Sequence, residues 1–412
     1  MKFVVNNQVV LSKEPEGPIK EYIDSFAKTV SEEGYALSSI SEQVRLVACF
    51  SRWLKHEGIE LNKITYEHLE RYLQYRLQQV KPRQGDLSTL SHLIDFLRCN
   101  NIIPAQKVSV PQLTPAEICV QSYEKYLREE RGLAKATILN YAPVIRRFIH
   151  DYFTGGAVKL SRLSTQDVVK FVQRQAPLLH MKRAKLMTSA LRSFLSYARY
   201  HGDVTLDLVA AVPVVPNWSM SSIPRAISTE QVHQLLVSID KSTAIGRRDF
   251  AILLLLARLG LRASEVAFIE LNDINWNSGT VSVRSKGGTY NEFPLSEEVG
   301  KSIAAYLRDG RPFSTSRRVF LRAKAPIHGF LGPSSVSCIV RHALKRAGIN
   351  APTCGAHQFR HGLATEMLRQ GASLGEIGDV LGHRHPQTTM IYTKVDIEAL
   401  RRLALPWPGG VQ

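Results

Sequence analysis

The stretch Ala351–Leu368, APTCGAHQFRHGLATEML, sets His357 and Arg360 three residues apart. On a helix that spacing puts an imidazole and a guanidinium on one face. Three further stretches carry complementary side chains. LGLRASEV (Leu259–Val266) holds Arg262 and Glu265, again at i, i+3. RSKGG (Arg284–Gly288) places Lys286 in a turn, and LGHRHPQTTMIYTK (Leu381–Lys394) has His383 followed nine residues later by Tyr392.

Two guanidinium groups, an ammonium, two imidazoles and a phenol suit phosphodiester chemistry. Arginine stays charged and pairs bidentately with phosphate oxygens. A pair of arginines stabilises charge on a pentacoordinate phosphoryl group without a metal. Lysine or histidine moves protons, and tyrosine acts as a covalent nucleophile once its phenol is activated. A phosphotyrosine link conserves the bond, so a strand is rejoined without ATP; the chain has no GxxxxGK[ST] loop for nucleotide. His357 and His361 stand four apart, but position 358 is Gln, so the zinc motif HExxH is absent. Neither metal nor other cofactor is expected. Taken singly, each residue has an ordinary structural reading: Arg262 paired with Glu265, Lys286 in a hairpin, Tyr392 in a core. Their order and spacing together favour chemistry.

Outward from these stretches, Thr229–Ile239 reads as a helix capped by Ser228, and Arg248–Leu259 as a buried helix. GTVSVRSKGGTYNEFP (Gly279–Pro294) alternates and turns at Gly-Gly, the pattern of a β-hairpin. The fold expected is mainly α with a small β-sheet in the C-terminal domain, hence α+β. Two Pro-rich stretches, IPAQKVSVPQLTP (Ile103–Pro115) and VPVVPNWSMSSIP (Val212–Pro224), read as linkers. They separate helical domains at 1–110 and 111–215 from a catalytic domain at 222–412.

The first two domains repeat a plan. At a spacing of 98, Ile40 matches Ile138, Val47 matches Ile145 and Phe50 matches Phe148. One residue further on, ITYEHLERYLQ (Ile64–Gln74) matches LSTQDVVKFVQ (Leu163–Gln173), with Thr65 and Ser164 or Thr165 as N-caps. MKRAKLMTSALRSFLSYARY (Met181–Tyr200) is a helix with Lys182, Arg183, Lys185 and Arg192 as candidate DNA contacts. A solvated face is the competing reading.

The 412 residues carry 53 Lys+Arg against 36 Asp+Glu, a net charge of +17. Residues 1–110 hold +1 of it, 111–220 hold +7 and 221–412 hold +9. Such a basic chain meets a polyanion, and the second and third segments face it. The longest apolar run, Phe250–Ala257, is eight residues, too short for a membrane span of about 20. The N-terminus lacks the long apolar core of a signal peptide. Five scattered cysteines form no CxxC pair, and the expected compartment is a reducing cytoplasm.

The ordered set Arg262, Lys286, His357-Gln-Phe-Arg360, His383 and Tyr392 resembles the tyrosine recombinases of the phage-integrase type. GLRASEV, LGH before the second His, TT-x-IY before the Tyr, and IPRAISTEQVHQLL (Ile223–Leu236) also match. Residues 115–205 resemble the family's helical core-binding domain, so the likeness spans about 115–400. One departure is Ser285 before Lys286, where a Gly is common, with no second Lys after it. The resemblance implies a site-specific recombinase that cleaves and rejoins DNA through a 3′-phosphotyrosine and a Holliday junction. Integration, excision or transposition of a mobile element is the setting it implies.

It further implies that Tyr392 attacks the phosphate, Arg262 and Arg360 clamp its nonbridging oxygens, and Lys286 protonates the leaving 5′ oxygen. His357 would assist proton removal from Tyr392, His383 would bond the phosphoryl group, and Glu265 would orient Arg262. The implied partners are double-stranded DNA with specific recombination sites and four protomers, with sister recombinases in some systems. A C-terminal tail with Ile397, Leu400 and Leu403 would dock on a neighbouring protomer. Competing classes are a type IB topoisomerase, a resolvase of chromosome or plasmid dimers, and a noncatalytic DNA-binding factor.

Overall fold

The computed structural model describes residues 14–81, 83, 85–104, 113–153, 156–215, 223–285, 288, 290–383, 385–395 and 401, with the backbone of two strands before them. It divides into two compact units, Met1–Gln106 with Ser222–Gln412, and Lys107–Ser221.

The first unit opens with antiparallel strands β1 (Phe3–Val5) and β2 (Gln8–Leu11). Four helices follow: α1 (Ile23–Glu32), α2 (Leu37–His56), α3 (Tyr66–Leu77) and α4 (Asp86–Cys99). On α2, Ile40, Val44, Val47 and Leu54 recur at helical spacing, and all are buried in one core with Phe26, Leu93 and Leu97.

The second unit is α5 (Pro115–Glu129), α6 (Lys135–Tyr152), α7 (Thr165–Gln175) and α8 (Met181–Tyr200). Aromatic pairs lie within its largely aliphatic core. Phe148 meets Phe171 edge-on at 5.0 Å, and Tyr123 meets Phe194 at 5.3 Å. The element order repeats that of the four helices before it. Leu37 and Lys135 open α2 and α6, 98 residues apart, and the matched residues Ile40/Ile138, Val47/Ile145 and Phe50/Phe148 are all buried. Thr65 and Ser164 each close a capping box, one with His68 and the other with Asp167. The Asp167 carboxylate accepts from the Ser164 backbone and hydroxyl at 2.9 and 2.7 Å, and these bonds hold its pKa below the usual range.

Residues 223–395 pack around a helix buried on every side. The chain enters through α9 (Thr229–Val237) into α10 (Ala244–Arg258), where Ala251 to Leu256 are all fully buried. This helix begins four residues before the expected Arg248, because Thr243 Oγ1 accepts from the Gly246 N–H at 3.0 Å and caps it. After α11 (Ala263–Phe268) come β3 (Ile274–Asn275), β4 (Thr280–Arg284) and β5 (Tyr290–Pro294). The β4–β5 hairpin pairs Val281 with Phe293 and Val283 with Asn291, and β3 adds an edge strand that the alternating pattern did not reveal. The two-residue length of β3 explains that omission. The rest is helical: α12 (Glu297–Asp309), α13 (Pro333–Arg346), α14 (His357–Arg369), α15 (Leu374–Val380) and α16 (Pro386–Thr389). Among the described residues no helix is long and apolar enough to cross a membrane.

Helix α14 lies hard against the entry to this region. A Cβ on Gly362 would stand 2.7 Å from the Ile227 carbonyl oxygen, whereas one on Gly300 of α12 would meet nothing within 4 Å. Gly362→Ala should therefore destabilise by about 1–3 kcal/mol through overpacking. Gly300→Ala should stabilise by about 1 kcal/mol through helix propensity. Thermal melting of the full chain reads both; shifts of equal sign would contradict this placement of α14.

Candidate active site

Arg360 lies in the first turn of α14 and is 2% exposed. Its Nη1 donates to the Gly260 carbonyl at 2.8 Å and its Nη2 to the Leu381 carbonyl. One side chain thus joins α14 to the approach to Arg262 and to the approach to His383. Gly260 has φ +60°, and a Cβ there would lie 2.9 Å from both Leu363 and Leu381. Only glycine fits this left-handed turn at such close range. Burial, and then the neighbouring Arg262, pull the Arg360 pKa down to about 10, against opposing effects of Glu265 and Tyr392. The guanidinium remains charged at neutral pH.

Arg262 is the N-cap residue of α11. Glu265, buried one turn later, accepts from the Arg262 backbone N–H and from Arg262 Nη1, both at 2.7 Å. The same carboxylate accepts from Ser285 Oγ at 3.2 Å. Ser285 directly precedes Lys286, so its departure from glycine supplies a tether between the β4 end and the arginine helix. Lys286 itself lies outside the described residues.

Tyr392 sits on a 3-10 helix, Met390–Val395, and is 1% exposed in a small apolar cluster with Ala364, Ile377 and Leu381. Its hydroxyl is 3.0 Å from His361 Nδ1. Burial raises the phenol's pKa, while Arg360 and Arg262 pull the other way. His361 is held down to about 4, by burial first and then by His357 and Arg360. His357 is exposed and meets His361 edge-on, with ring centroids 4.6 Å apart. His383 Nδ1 is 2.8 Å from Thr389 Oγ1, and burial followed by Arg360 and Arg262 holds this imidazole down to about 4. Two charged guanidinium groups thus stand beside imidazoles kept neutral and a protonated phenol. That set is equipped to bind a phosphodiester and to move a proton from the phenol. Among the described residues no cluster of His, Cys, Asp or Glu could hold a metal.

Five of the six catalytic candidates therefore share one electrostatic neighbourhood, and the sixth is outside the described residues. His361 is the residue that sequence reasoning passed over, considered only as half of a failed zinc motif. Its signal was present: it stands one turn after His357 and directly after Arg360. On α8, Lys182, Arg183 and Lys185 are exposed in the first turns. Arg192, further along α8, is half-buried; its Nη2 donates to the Val212 and Pro213 carbonyls at 2.9 and 3.2 Å and ties down the chain leaving the second unit.

His361 and His383 titrate near 4 when folded, against about 6.5 unfolded. Between these values the unfolded chain binds more protons, so their contribution is fully present above about 6.5 and is lost as the pH falls toward 4. Melting temperature should drop between about pH 7 and about pH 5. The double variant His361→Gln/His383→Gln should flatten part of that drop; an unaltered slope would mean the imidazoles are not buried neutral.

Residues 225–398 match the model of the phage integrase family, and residues 120–202 match that of the phage integrase N-terminal SAM-like domain. The chain is 56% identical over 413 residues to y4rA of Sinorhizobium fredii (strain NBRC 101917 / NGR234), named as an integrase/recombinase, with all of both chains covered. Among solved structures it is similar in fold to XerH site-specific recombinase bound to palindromic difH substrate. That match has a TM-score of 0.55 and 20% identity, covering 84% of this chain and 98% of that one. A lambda integrase tetramer bound to a Holliday junction matches with a TM-score of 0.50 and 17% identity, over 72% of this chain and 87% of that one. The chain belongs to the phage integrase family of tyrosine recombinases, enzymes that cleave and rejoin DNA.

Proposed function

We propose that Tyr392 is the nucleophile of a site-specific recombination reaction on duplex DNA. Its oxygen attacks the scissile phosphorus, the phosphorus–O5′ bond breaks, and a 3′-phosphotyrosyl link holds the strand. Arg262 and Arg360 neutralise the nonbridging oxygens. His357 and His383 bind and assist at the phosphoryl group, and Lys286 delivers the proton to the departing 5′ oxygen. Glu265 fixes Arg262 and, through Ser285, the strand end that carries Lys286. The observation that carries this reading is the buried Arg360 linking the Arg262 and His383 segments and acting electrostatically on Tyr392.

The exposed cations at the start of α8 support a DNA surface on the second unit. Lys182, Arg183 and Lys185 occupy its first turns, with no acidic residue in the first. Positive charge there opposes the helix dipole, and phosphate offsets that cost. Four protomers on two sites would exchange strands through a Holliday junction, as the lambda integrase tetramer suggests by analogy. The domains we assign are 1–110, 111–215 and 222–412. The docking tail assigned to the C-terminus is outside the described residues apart from Arg401. The near-neutral first domain suits protein contact better than phosphate contact. Integration, excision or transposition of a mobile element is the favoured setting, because the 56% identical relative is named an integrase/recombinase. Sister recombinases as optional partners and a place on the bacterial nucleoid belong to the same reading.

A duplex selected by the full chain from a randomised library, nicked near the cleavage position to trap the intermediate, tests the chemistry. Wild type should form a covalent adduct and Tyr392→Phe none; an adduct with Tyr392→Phe would remove Tyr392 as nucleophile. Efficient relaxation of supercoiled plasmid lacking the selected site would favour a topoisomerase instead. Replacing Lys182, Arg183 and Lys185 by Ala should make the log affinity–log salt slope shallower by about 2–3. An unchanged slope would remove these residues from the DNA surface.

A further inference from the structure

We propose that His361 is the residue that takes the proton of Tyr392 as the phosphotyrosyl bond forms. The inference rests on Tyr392 being the nucleophile and assigns to His361 the step that the family resemblance gives to His357. Its ground is the 3.0 Å contact between His361 Nδ1 and the Tyr392 hydroxyl, with the two rings edge-on at 5.7 Å. Tyr392 is 1% exposed, so its hydroxyl needs a partner inside the protein. A phenol that keeps its proton donates it, and a neutral imidazole accepts through the nitrogen without hydrogen. The proposal assigns the tautomer in which Nδ1 accepts and Nε2 carries the hydrogen.

The surrounding charges explain how the step is timed. His357 and Arg360 on α14 both act on His361, and His383 is electrostatically coupled to it. Arg360 and Arg262 act on the phenol. Burial first, and then His357 and Arg360, disfavour a positive charge on His361 while no phosphate is present, so the imidazole stays a weak base. A phosphodiester bound at Arg360 offsets that arginine's share of the effect and raises the basicity of His361. The tyrosine oxygen–hydrogen bond then breaks toward Nδ1 as the oxygen–phosphorus bond forms. The phosphorus–O5′ bond breaks, and the leaving oxygen takes its proton from the general acid. In rejoining, the 5′ hydroxyl attacks phosphorus and the imidazolium returns its proton to Tyr392. His357, exposed and stacked edge-on against His361, is a neighbour of the acceptor in this arrangement.

The test uses the full chain on the trapped-intermediate duplex and on the same duplex with sulfur in place of the bridging 5′ oxygen. Sulfur leaves without a proton, so that substrate isolates the nucleophile's side of the reaction. His361→Ala should form adduct about 100-fold more slowly on both substrates, the scale of general-base loss. Its DNA affinity should be unchanged, and the acid limb of its pH–rate profile should disappear. His361→Gln keeps a hydrogen-bond acceptor but cannot take a proton, and should remain at least ten-fold slow by the same reasoning, about the lower bound for such a loss. Rates for His361→Gln matching wild type would reduce His361 to a positioning residue and overturn the proposal. So would a slow His357→Ala beside a normal His361→Ala on the sulfur substrate. An adduct formed by Tyr392→Phe would instead overturn the nucleophile assignment, a separate failure.

Discussion

One buried guanidinium holds the reactive segments of this enzyme in register. Arg360 donates to two carbonyls that belong to distant parts of the chain, Gly260 before the first arginine and Leu381 before the second histidine. A charge taken out of water is costly unless its donors are satisfied, and here backbone oxygens satisfy two of them. Those carbonyls also aim the guanidinium. Gly260 is glycine because its left-handed turn brings the chain against Leu363 and Leu381. Arg262, Glu265 and Ser285 extend the network to the β4 end by three hydrogen bonds onto one carboxylate. Preorganisation of this kind lets dipoles and charges stabilise a phosphoryl transition state without rearranging at the moment of reaction.

Much of this was legible in the residues, because helices and hairpins write themselves as periodicity. The 98-residue echo between α2 and α6 came from the buried face of each helix, where Ile40/Ile138 and Phe50/Phe148 must be apolar. The β4–β5 hairpin was legible from alternation and Gly-Gly. Order and spacing singled out the candidate groups, since Arg, His and Tyr have few substitutes for phosphodiester chemistry. What stayed hidden depends on three-dimensional proximity between remote positions. The Arg192 bonds to the Val212 and Pro213 carbonyls join positions 20 and 21 residues apart, which no local pattern shows. His361 looked incidental until the 3-10 helix brought Tyr392 to it. Ser285 looked like a departure from pattern until Glu265 came within reach.

The first domain carries almost none of the excess charge, although its helices follow the plan of the basic domain after it. Two helical segments of similar element order thus carry different surfaces. In α8 the opening turn carries Lys182, Arg183 and Lys185, whereas α4 opens with Asp86, which is buried and ion-paired with Arg76. A helical unit needs only its buried positions to persist, which leaves its exterior free to change partners.

The burial of Tyr392 also fixes its orientation. Enclosing an aromatic side chain is worth about 2–3 kcal/mol. The small apolar cluster of Ala364, Ile377 and Leu381 therefore holds the ring by ordinary core packing, and the hydroxyl meets the His361 imidazole at 3.0 Å instead of bulk water.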